Sequence, residues 1–188
     1  ILLTNAGNEA LHKNATEILK KENIPIVIRN AFKKNIEKTE INSNKHNENI
    51  VALTDKSCYI VHIPTESILD IENVISEIKM HKSIDINAIS YTQKEMSIII
   101  SGDIDNIKDK IKTIDTIEIK KDKKLISIIG HYINNNIGIA GTIFHNISKL
   151  DCNINTIIQT SSENCISFVV EEKNSEKILE LLHNTFIK

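Results

Sequence analysis

The chain has 188 residues, a hydrophobic content of 40% and a formal net charge of −2, with charges of both signs interspersed. This length accommodates one ordinary domain or two small ones, and the lack of a basic surplus argues against a nucleic acid partner. No apolar run approaches a membrane span and no signal-peptide pattern is visible, so we expect no membrane partner. Three cysteines without CxxC spacing favour a reducing compartment, namely the cytoplasm or, in a eukaryote, a plastid or other organelle stroma.

The N-terminal segment predicts a helix, a strand and a polar linker. Apolar residues recur at helical spacing from Ile1 to Asn23, where the helix is expected to stop. Residues 24–29 predict a short buried strand, with Pro25 near its first position, where a missing N–H is tolerated. Residues 33–49 are polar, charged and without a period, which is typical of a linker or a long loop. Because a helical pattern is already under way at the first residue, we expect the chain to be a piece of a longer protein.

The middle of the chain predicts alternating strands and helices. Asn49–Ile63 contains two apolar runs, separated by Thr54-Asp55-Lys56 as a predicted turn. A helix is expected from Ser67 or Asp70 to about His81. The elements predicted next are strands at Ile84–Tyr91 and Met96–Ser101, a turn at Gly102-Asp103, a helix from Asp105 and a strand at Ile117–Ile119.

The second half repeats this order. Its predicted elements are a strand at Leu125–Ile129, a helix at Ile139–Leu150, strands at Ile154–Gln159 and Cys165–Val170, and a final helix capped by Asn174 or Ser175. Ile84 falls on Ile154, and Met96–Ile100 falls on Ile166–Val170, at a constant offset of 70 residues without a gap. Each copy has the order βαββαβ, which is that of the ferredoxin-like fold. We therefore predict an α+β protein with antiparallel sheet and with its helices on one face.

Several stretches carry a family resemblance. Gly138-Ile139-Ala140-Gly141 opens a helix, and the run from Asn153 to Ser167, NINTIIQTSSENCIS, follows in the second copy. Together with the duplicated βαββαβ order, they resemble the paired ACT domains of aspartokinases. Near the start, Gly7–His12 and Asn23–Phe32 resemble the end of the aspartokinase catalytic domain.

The resemblance covers essentially the whole chain and implies a domain organisation. Residues 1–35 would be the tail of the amino-acid kinase domain, 36–48 a linker, 49–120 the first ACT domain and 121–188 the second, with 49–55 considered as a strand shared with the second domain. The family phosphorylates L-aspartate with ATP, the first step of lysine, threonine and methionine biosynthesis. The chain itself shows no catalytic constellation and no metal-ligand spacing, so we expect it to be inactive alone and to hold no cofactor. ATP and Mg are expected in the full-length enzyme only.

The resemblance also implies a regulatory ligand, lysine or threonine, and self-association through the ACT domains. Backbone N–H groups at a helix N-terminus suit the carboxylate of an amino acid, and Gly138 allows a close approach. Amide side chains would supply neutral donors and acceptors, and Glu163 could take a cation. The candidate effector residues are Asn136, Gly138, Ile139, Ala140, Asn153, Asn155, Gln159, Ser161, Ser162 and Glu163, with Asn87, Ser90, Tyr91, Thr92 and Gln93 as a weaker set in the first copy.

The chain departs from the family pattern in places. Lys13 stands where the family has Pro, and no Gly lies in Pro64–Asp70, before the first copy's helix. In the gapless alignment, Ile89 stands where the second copy has Gln159. The first copy therefore retains the fold pattern but has lost much of the ligand-loop signature.

Two simpler interpretations stay open at this stage. Gly138 and Gly141 could serve only close packing of the helix on the sheet, and Gln159–Glu163 could be a solvated hairpin turn. The alternative function is then a structural pair of ACT domains, which mediates oligomerisation without a ligand.

Overall fold

The computed structural model describes residues 15, 18–19, 21–28, 39–41, 50, 52–64, 68–103, 117–130, 133–159 and 164–187. The strands are β1 Ile26–Ile28, β2 Thr39–Ile41, β3 Ala52–Pro64, β4 Ile84–Tyr91, β5 Glu95–Gly102, β6 Glu118–Ile129, β7 Ile154–Ile158 and β8 Cys165–Glu171. The helices are α1 Ile68–Met80, α2 Ile139–Ile147 and α3 Glu172–Phe186, and a short 3-10 turn spans Ile133–Asn135. None of the described helices is long and apolar enough to cross a bilayer.

The N-terminal strands form a small sheet of their own. β1 pairs antiparallel with β2, with Val27 opposite Glu40. β1 is the strand predicted at 24–29, but Val27 is 45% exposed, so the prediction that this strand is buried was wrong. β2 lies inside 36–48, a segment predicted to be a linker. That prediction missed the strand because three residues, of which only Ile41 is strongly apolar, are too few to show a period. Most of the helix predicted for 1–23, and the helix predicted from Asp105, lie outside the described residues.

The main sheet has six strands in the order β4-β5-β3-β6-β8-β7, and all its neighbours are antiparallel. At its centre, β3 and β6 pair from Ala52–Ile129 at one end to His62–Glu118 at the other. Beyond this central pair, the C-terminal part of β3 pairs with β5 and the C-terminal part of β6 pairs with β8. Each copy of the repeat therefore contributes one long strand to both halves of the sheet.

Two sequence predictions about these long strands were wrong. Thr54-Asp55-Lys56 is not a turn but lies within β3, and the strands predicted at 117–119 and 125–129 belong to one strand, β6. Polar residues interrupt the apolar pattern here because the long strands pass between two separate cores. Lys124 holds Asp55 across the β3–β6 ladder, with 3.3 Å between its Nζ and an oxygen of Asp55.

β6 contains a bulge. The bulge breaks the alternation of apolar and polar residues, so the sequence does not show that β6 is one continuous strand. Cys58 lies opposite Lys123 and Ile60 opposite Lys120, so Lys121 and Asp122 share one partner position. Asp122 has a φ of 55°, in the left-handed region that Asp tolerates better than most residues. The extra residue reverses the alternation along the strand, and Ile119 and Ile126 both face the helices.

The helices cover one face of the sheet, as predicted. α1 packs Val74 and Ile78 on a first core, and α2 and α3 pack on a second core around Phe168, whose ring meets Phe144 edge-on at 5.9 Å. The first core contains Val61, Ile63, Val74, Ile78, Ile84, Met96, Ile98 and Ile100. The second core contains Ile50, Ile126, Ile128, Ile133, Ile143, Ile147, Ile166, Phe168, Val170, Ile178 and Leu182.

The opposite face of the sheet holds a third apolar cluster made of strand residues alone. Its buried members are Cys58, Ile60, Ile99, Leu125 and Val169, with Ala88 and Ile158 packed against them. Ile99 and Val169 are fully buried although no described helix belongs to the cluster. The cluster takes residues from both halves of the sheet, so it spans the central strands β3 and β6 on this face.

The two copies superpose differently from the gapless alignment. β5 and β8 begin at Glu95 and Cys165, as the 70-residue offset predicts. β4 has its bulge at Asn87 and β7 has its bulge at Asn155. In both copies the bulge lies opposite the same position of the partner strand, β5 or β8. Along these two strands the equivalent residues are therefore 68 positions apart. Sequence comparison missed this, because a slip of two residues leaves every side chain on the same face.

The helix ends also differ from the predictions. α2 ends at Ile147 rather than Leu150, although Leu150 still packs against the second core. α3 begins at Glu172, and Asn174 and Ser175, predicted as its caps, are buried in its first turn.

Replacing Gly102 is expected to destabilise the protein by about 3 kcal/mol, since its backbone cannot accept a side chain without strain. Gly102 has a φ of 104°, and an added Cβ would collide with the carbonyl oxygen of Ser83. Gly141→Ala is the matched control, because a Cβ at this exposed helical position meets nothing within 4 Å. It should stabilise the protein by about 0.5–1 kcal/mol. Urea denaturation of Gly102→Ala and Gly141→Ala measures the change in unfolding free energy for each variant. Equal changes in the two variants would contradict the geometry.

The buried thiol of Cys58 predicts a loss of stability at alkaline pH. Burial raises its pKa from 9.0 to about 12, against the opposing effect of Lys56, Lys123 and Lys124. Above pH 9.0 the unfolded chain loses this proton while the folded chain keeps it, so unfolding becomes easier until about pH 12. Compared with Cys58→Ala, the wild-type protein should lose more unfolding free energy across this range. Urea denaturation at a series of pH values measures this loss. If the unfolding free energies of the two proteins fall equally with pH, the expectation is refuted.

Candidate ligand-binding site

The loop that enters α2 is fixed at one end and open at the other. Ile133 anchors the 3-10 turn in the second core with 1% of its surface exposed. The N–H of Ile139 donates to the carbonyl oxygen of Asn136 at 3.3 Å, which closes a tight turn around Ile137 and Gly138. Gly138 has a φ of 86° and directly precedes the helix, and as a glycine it provides no capping side chain. After Ile139, whose N–H is used in this turn, the N–H groups of Ala140 and Gly141 are available to an anionic group.

The glycines of this loop do not serve helix packing. A Cβ at Gly138 or at Gly141 would meet no atom within 4 Å. The close-packing interpretation is therefore wrong for both positions. Gly138 is required for its backbone conformation, and the space beside both glycines is open to a ligand or to a partner surface.

The β7–β8 hairpin brings its tip to the same end of the sheet. Ile129 pairs with Cys165, and the N–H of Gly130 donates to the carbonyl oxygen of Asn164 at 3.0 Å. Gln159 directly follows β7 and is exposed. The predicted residues Asn136, Gly138, Ile139, Ala140 and Gln159 thus share one end of the second unit. Ser161, Ser162 and Glu163 lie outside the described residues.

The other two predicted residues of the second copy lie elsewhere. Asn153 precedes β7, and its side-chain oxygen accepts a hydrogen bond from the N–H of Ile154 at 3.0 Å. Six residues of extended chain separate it from Gln159, about 20 Å at 3.3 Å per residue. Asn155 is the bulged residue of β7, between the two ends. The structure therefore splits the predicted set, with Asn153 at the end opposite the α2 loop.

Two of the five residues in the weaker set of the first copy make hydrogen bonds within the chain. The side-chain amide of Asn87 donates to the hydroxyl of Ser101 at 3.0 Å. Thr92 closes the β4–β5 hairpin, with its N–H donating to the carbonyl oxygen of Glu95 at 2.9 Å and its hydroxyl bonded to the same turn. Ser90, Tyr91 and Gln93 are exposed. Thr92 thus has a structural role in the hairpin, and the assignment of the weaker set to a ligand stays a prediction.

The positions of the two bulges change which residues of the first copy are equivalent to which residues of the second copy. Asn87 is equivalent to Asn155, Ile89 to Ile157 and Tyr91 to Gln159. The gapless alignment had placed Ile89 against Gln159, which is wrong by two positions. A polar asparagine at each bulge was the only signal in the sequence that could have corrected it.

A charged junction, which the sequence did not predict, joins the two halves of the sheet at the end of β8 opposite the α2 loop. Lys123 is 7% exposed and forms an ion pair with Glu171, across the β6–β8 ladder. Lys124 bridges Asp55 at 3.3 Å and Glu172 at 3.8 Å. The side chains of β3, β6 and the start of α3 are thereby held together by charge.

Comparison with known proteins adds to this geometry. A family model described as ACT domain matches residues 126–186. Aspartokinase from Saccharomyces cerevisiae is 30% identical over 105 residues, which cover 52% of this chain and 20% of the yeast protein. The crystal structure of Clostridium acetobutylicum aspartate kinase matches with a TM-score of 0.85 and 26% identity, over 98% of this chain and 46% of that one. Escherichia coli aspartokinase III in complex with lysine and aspartate shares the fold, with a TM-score of 0.80, 15% identity and coverage of 98% and 44%.

The fold and these similarities define a protein with paired ACT domains. Within that class the chain is similar to the regulatory region of aspartokinases. It spans one fifth of the yeast relative and less than half of the clostridial chain.

Proposed function

We propose that this chain is the regulatory part of an aspartokinase, which binds an end-product amino acid and thereby controls ATP-dependent phosphorylation of L-aspartate by a kinase domain. The observation that carries the proposal is the uncapped N-terminus of α2, opened by Gly138 beside the β7–β8 hairpin. An anion gains from both the free N–H groups and the helix dipole at this place. The kinase activity itself, with its ATP and Mg, is proposed from the family resemblance alone.

The ligand is proposed to enter with its carboxylate towards α2. Gln159 and Asn136 would then form hydrogen bonds with the polar groups of the ligand. The carboxylate of Glu163 would accept hydrogen bonds from the ammonium group of the ligand. Lysine and threonine are the two candidate effectors. The E. coli enzyme, which shares this fold and is in complex with lysine, supports the first. Binding would bias a two-state arrangement of the parent enzyme by its differential affinity for the two states.

Titration calorimetry with lysine and with threonine tests the effector role directly. One of them should bind saturably, and Gln159→Ala should weaken binding by about threefold to tenfold, the value of one net hydrogen bond. Gln93→Ala is the matched control, since it removes the same side chain from the hairpin of the first copy. If neither amino acid releases heat, or if both variants bind equally well, the proposed site is wrong.

Self-association without a ligand is the second candidate function. β4 and β7 are the edge strands of the main sheet, and they expose Ile89 by 42% and Ile157 by 55%. Ile137, at the tip of the α2 loop, is fully exposed. Unpaired strand edges with exposed apolar side chains are ready to pair with another chain, and the satisfied hairpin of the first copy favours such a structural role there.

Charge placed on an edge strand should disrupt this association. Ile157→Lys and Ile89→Lys each put an ammonium on one edge, where pairing would bury it. Sedimentation velocity should show that at least one variant has a smaller assembly than the wild-type chain, by at least twofold in mass if the wild-type chain is a dimer. Identical sedimentation of both variants and the wild-type chain would exclude pairing through these edges.

A further inference from the structure

A second cleft lies at the end of the second unit that is opposite the α2 loop. The connection from α2 to β7 forms one wall, and the junction of β8 with α3 forms the other. The cleft has a volume of about 860 Å³ and opens to solvent. Asn153, which the structure separates from the rest of the predicted effector set, lines it together with Asn174.

Asn174 gives the first indication of a missing partner. It is 8% exposed and lines the cleft, yet its side chain makes no hydrogen bond to any residue that the structure describes. Its neighbour Ser175 is equally buried, but the Ser175 hydroxyl donates to the carbonyl oxygen of Glu172 at 2.8 Å. Buried amide groups nearly always have partners, because leaving one unpaired is unfavourable. A ligand in the cleft would supply the partner that Asn174 lacks.

The N-terminus of α3 gives the second indication. α3 has 15 residues, and its N-cap residue, Glu171, makes no capping hydrogen bond with its side chain. The Glu171 carboxylate is instead engaged by the buried ammonium of Lys123. The first-turn N–H groups of α3 are therefore left without a side-chain acceptor, and the positive end of the helix dipole lies at the cleft.

The charges around the cleft favour an anion. Lys149 and Lys173 are exposed on its two walls, and Lys123 neutralises Glu171. Asp151 is the remaining acidic residue of the lining. The Lys149 ammonium donates to the side-chain oxygen of Asn146 at 3.0 Å and keeps further donors available.

We propose that this cleft binds a small oxyanion, the carboxylate or phosphate group of a metabolite. The side-chain amide of Asn174 and the first-turn N–H groups of α3 hold its oxygens, and Lys173 supplies a counter-charge. This site is separate from the α2 loop and does not depend on effector binding there, since Gln159 lies about 20 Å away along β7.

Amide-resolved NMR titration of this chain tests the proposal. Inorganic phosphate is one probe and acetate is the other, and sodium chloride at matched ionic strength is the control for screening. At least one probe should give saturable shifts centred on residues 171–175 and 148–153, and the probe that binds identifies the source of the group. Lys173→Gln should weaken binding by about tenfold, as expected for a lost charge-assisted contact. Lys177→Gln removes the same charge one turn further along α3 and should leave binding unchanged.

Asn174→Ala should abolish the saturable shifts while the protein remains folded, since the variant removes a buried amide that has no partner. If that variant fails to fold, Lys173→Gln and Lys177→Gln, both on the solvent side, still decide the question. Three results would overturn the proposal: shifts that sodium chloride reproduces, shifts centred away from the two walls, and equal binding by the two lysine variants. A Gln159→Ala variant should retain oxyanion binding, so failure of the effector site and failure of this site are distinguishable.

Discussion

The continuous pairing of β3 with β6 is the constraint on which the rest of the fold depends. Each strand is paired along its length, so each half of the sheet contains strand segments from both copies of the repeat. Ile50 and Leu53 belong by sequence to the first copy, but they pack in the core of the second. Neither copy is a complete folding unit by itself, and we expect the two cores to unfold together. Separating the copies at the boundary between them would remove a strand from one and leave it unpaired on the other.

Much of this architecture can be predicted from the sequence, because the buried apolar residues recur with the period of the helix or strand that contains them. β4 was located to the residue, and α1, β5 and β8 were located within one or two residues. The errors fall where a local pattern is ambiguous by its nature. The bulge at Lys121 and Asp122 breaks the alternation of β6, so one strand looks like two. Registers depend on partners that a single sequence does not show, so the slip of two residues between β4 and β7 was invisible.

The candidate site was predictable in part, and for a definite reason. The start of a helix depends on local sequence, and the prediction that a helix begins directly after Gly138 is confirmed. The direction and the length of the strands determine which other residues lie near Gly138. β7 carries Asn153 away from the α2 loop, although only six positions separate it from Gln159. Its counterpart in the cleft, Asn174, had been assigned to a helix cap because its burial depends on the packing of α3 against the sheet, which no local pattern records.

The length of α2 gives the second unit a further property. The helix has nine residues and is about 13 Å long, with the glycine loop at one end and the cleft wall that begins at Ser148 at the other. Ile143 and Ile147 are buried between them, so the middle of the helix is anchored in the second core. The two ends share no lining residue, so the same chain has room for a ligand at each end at the same time.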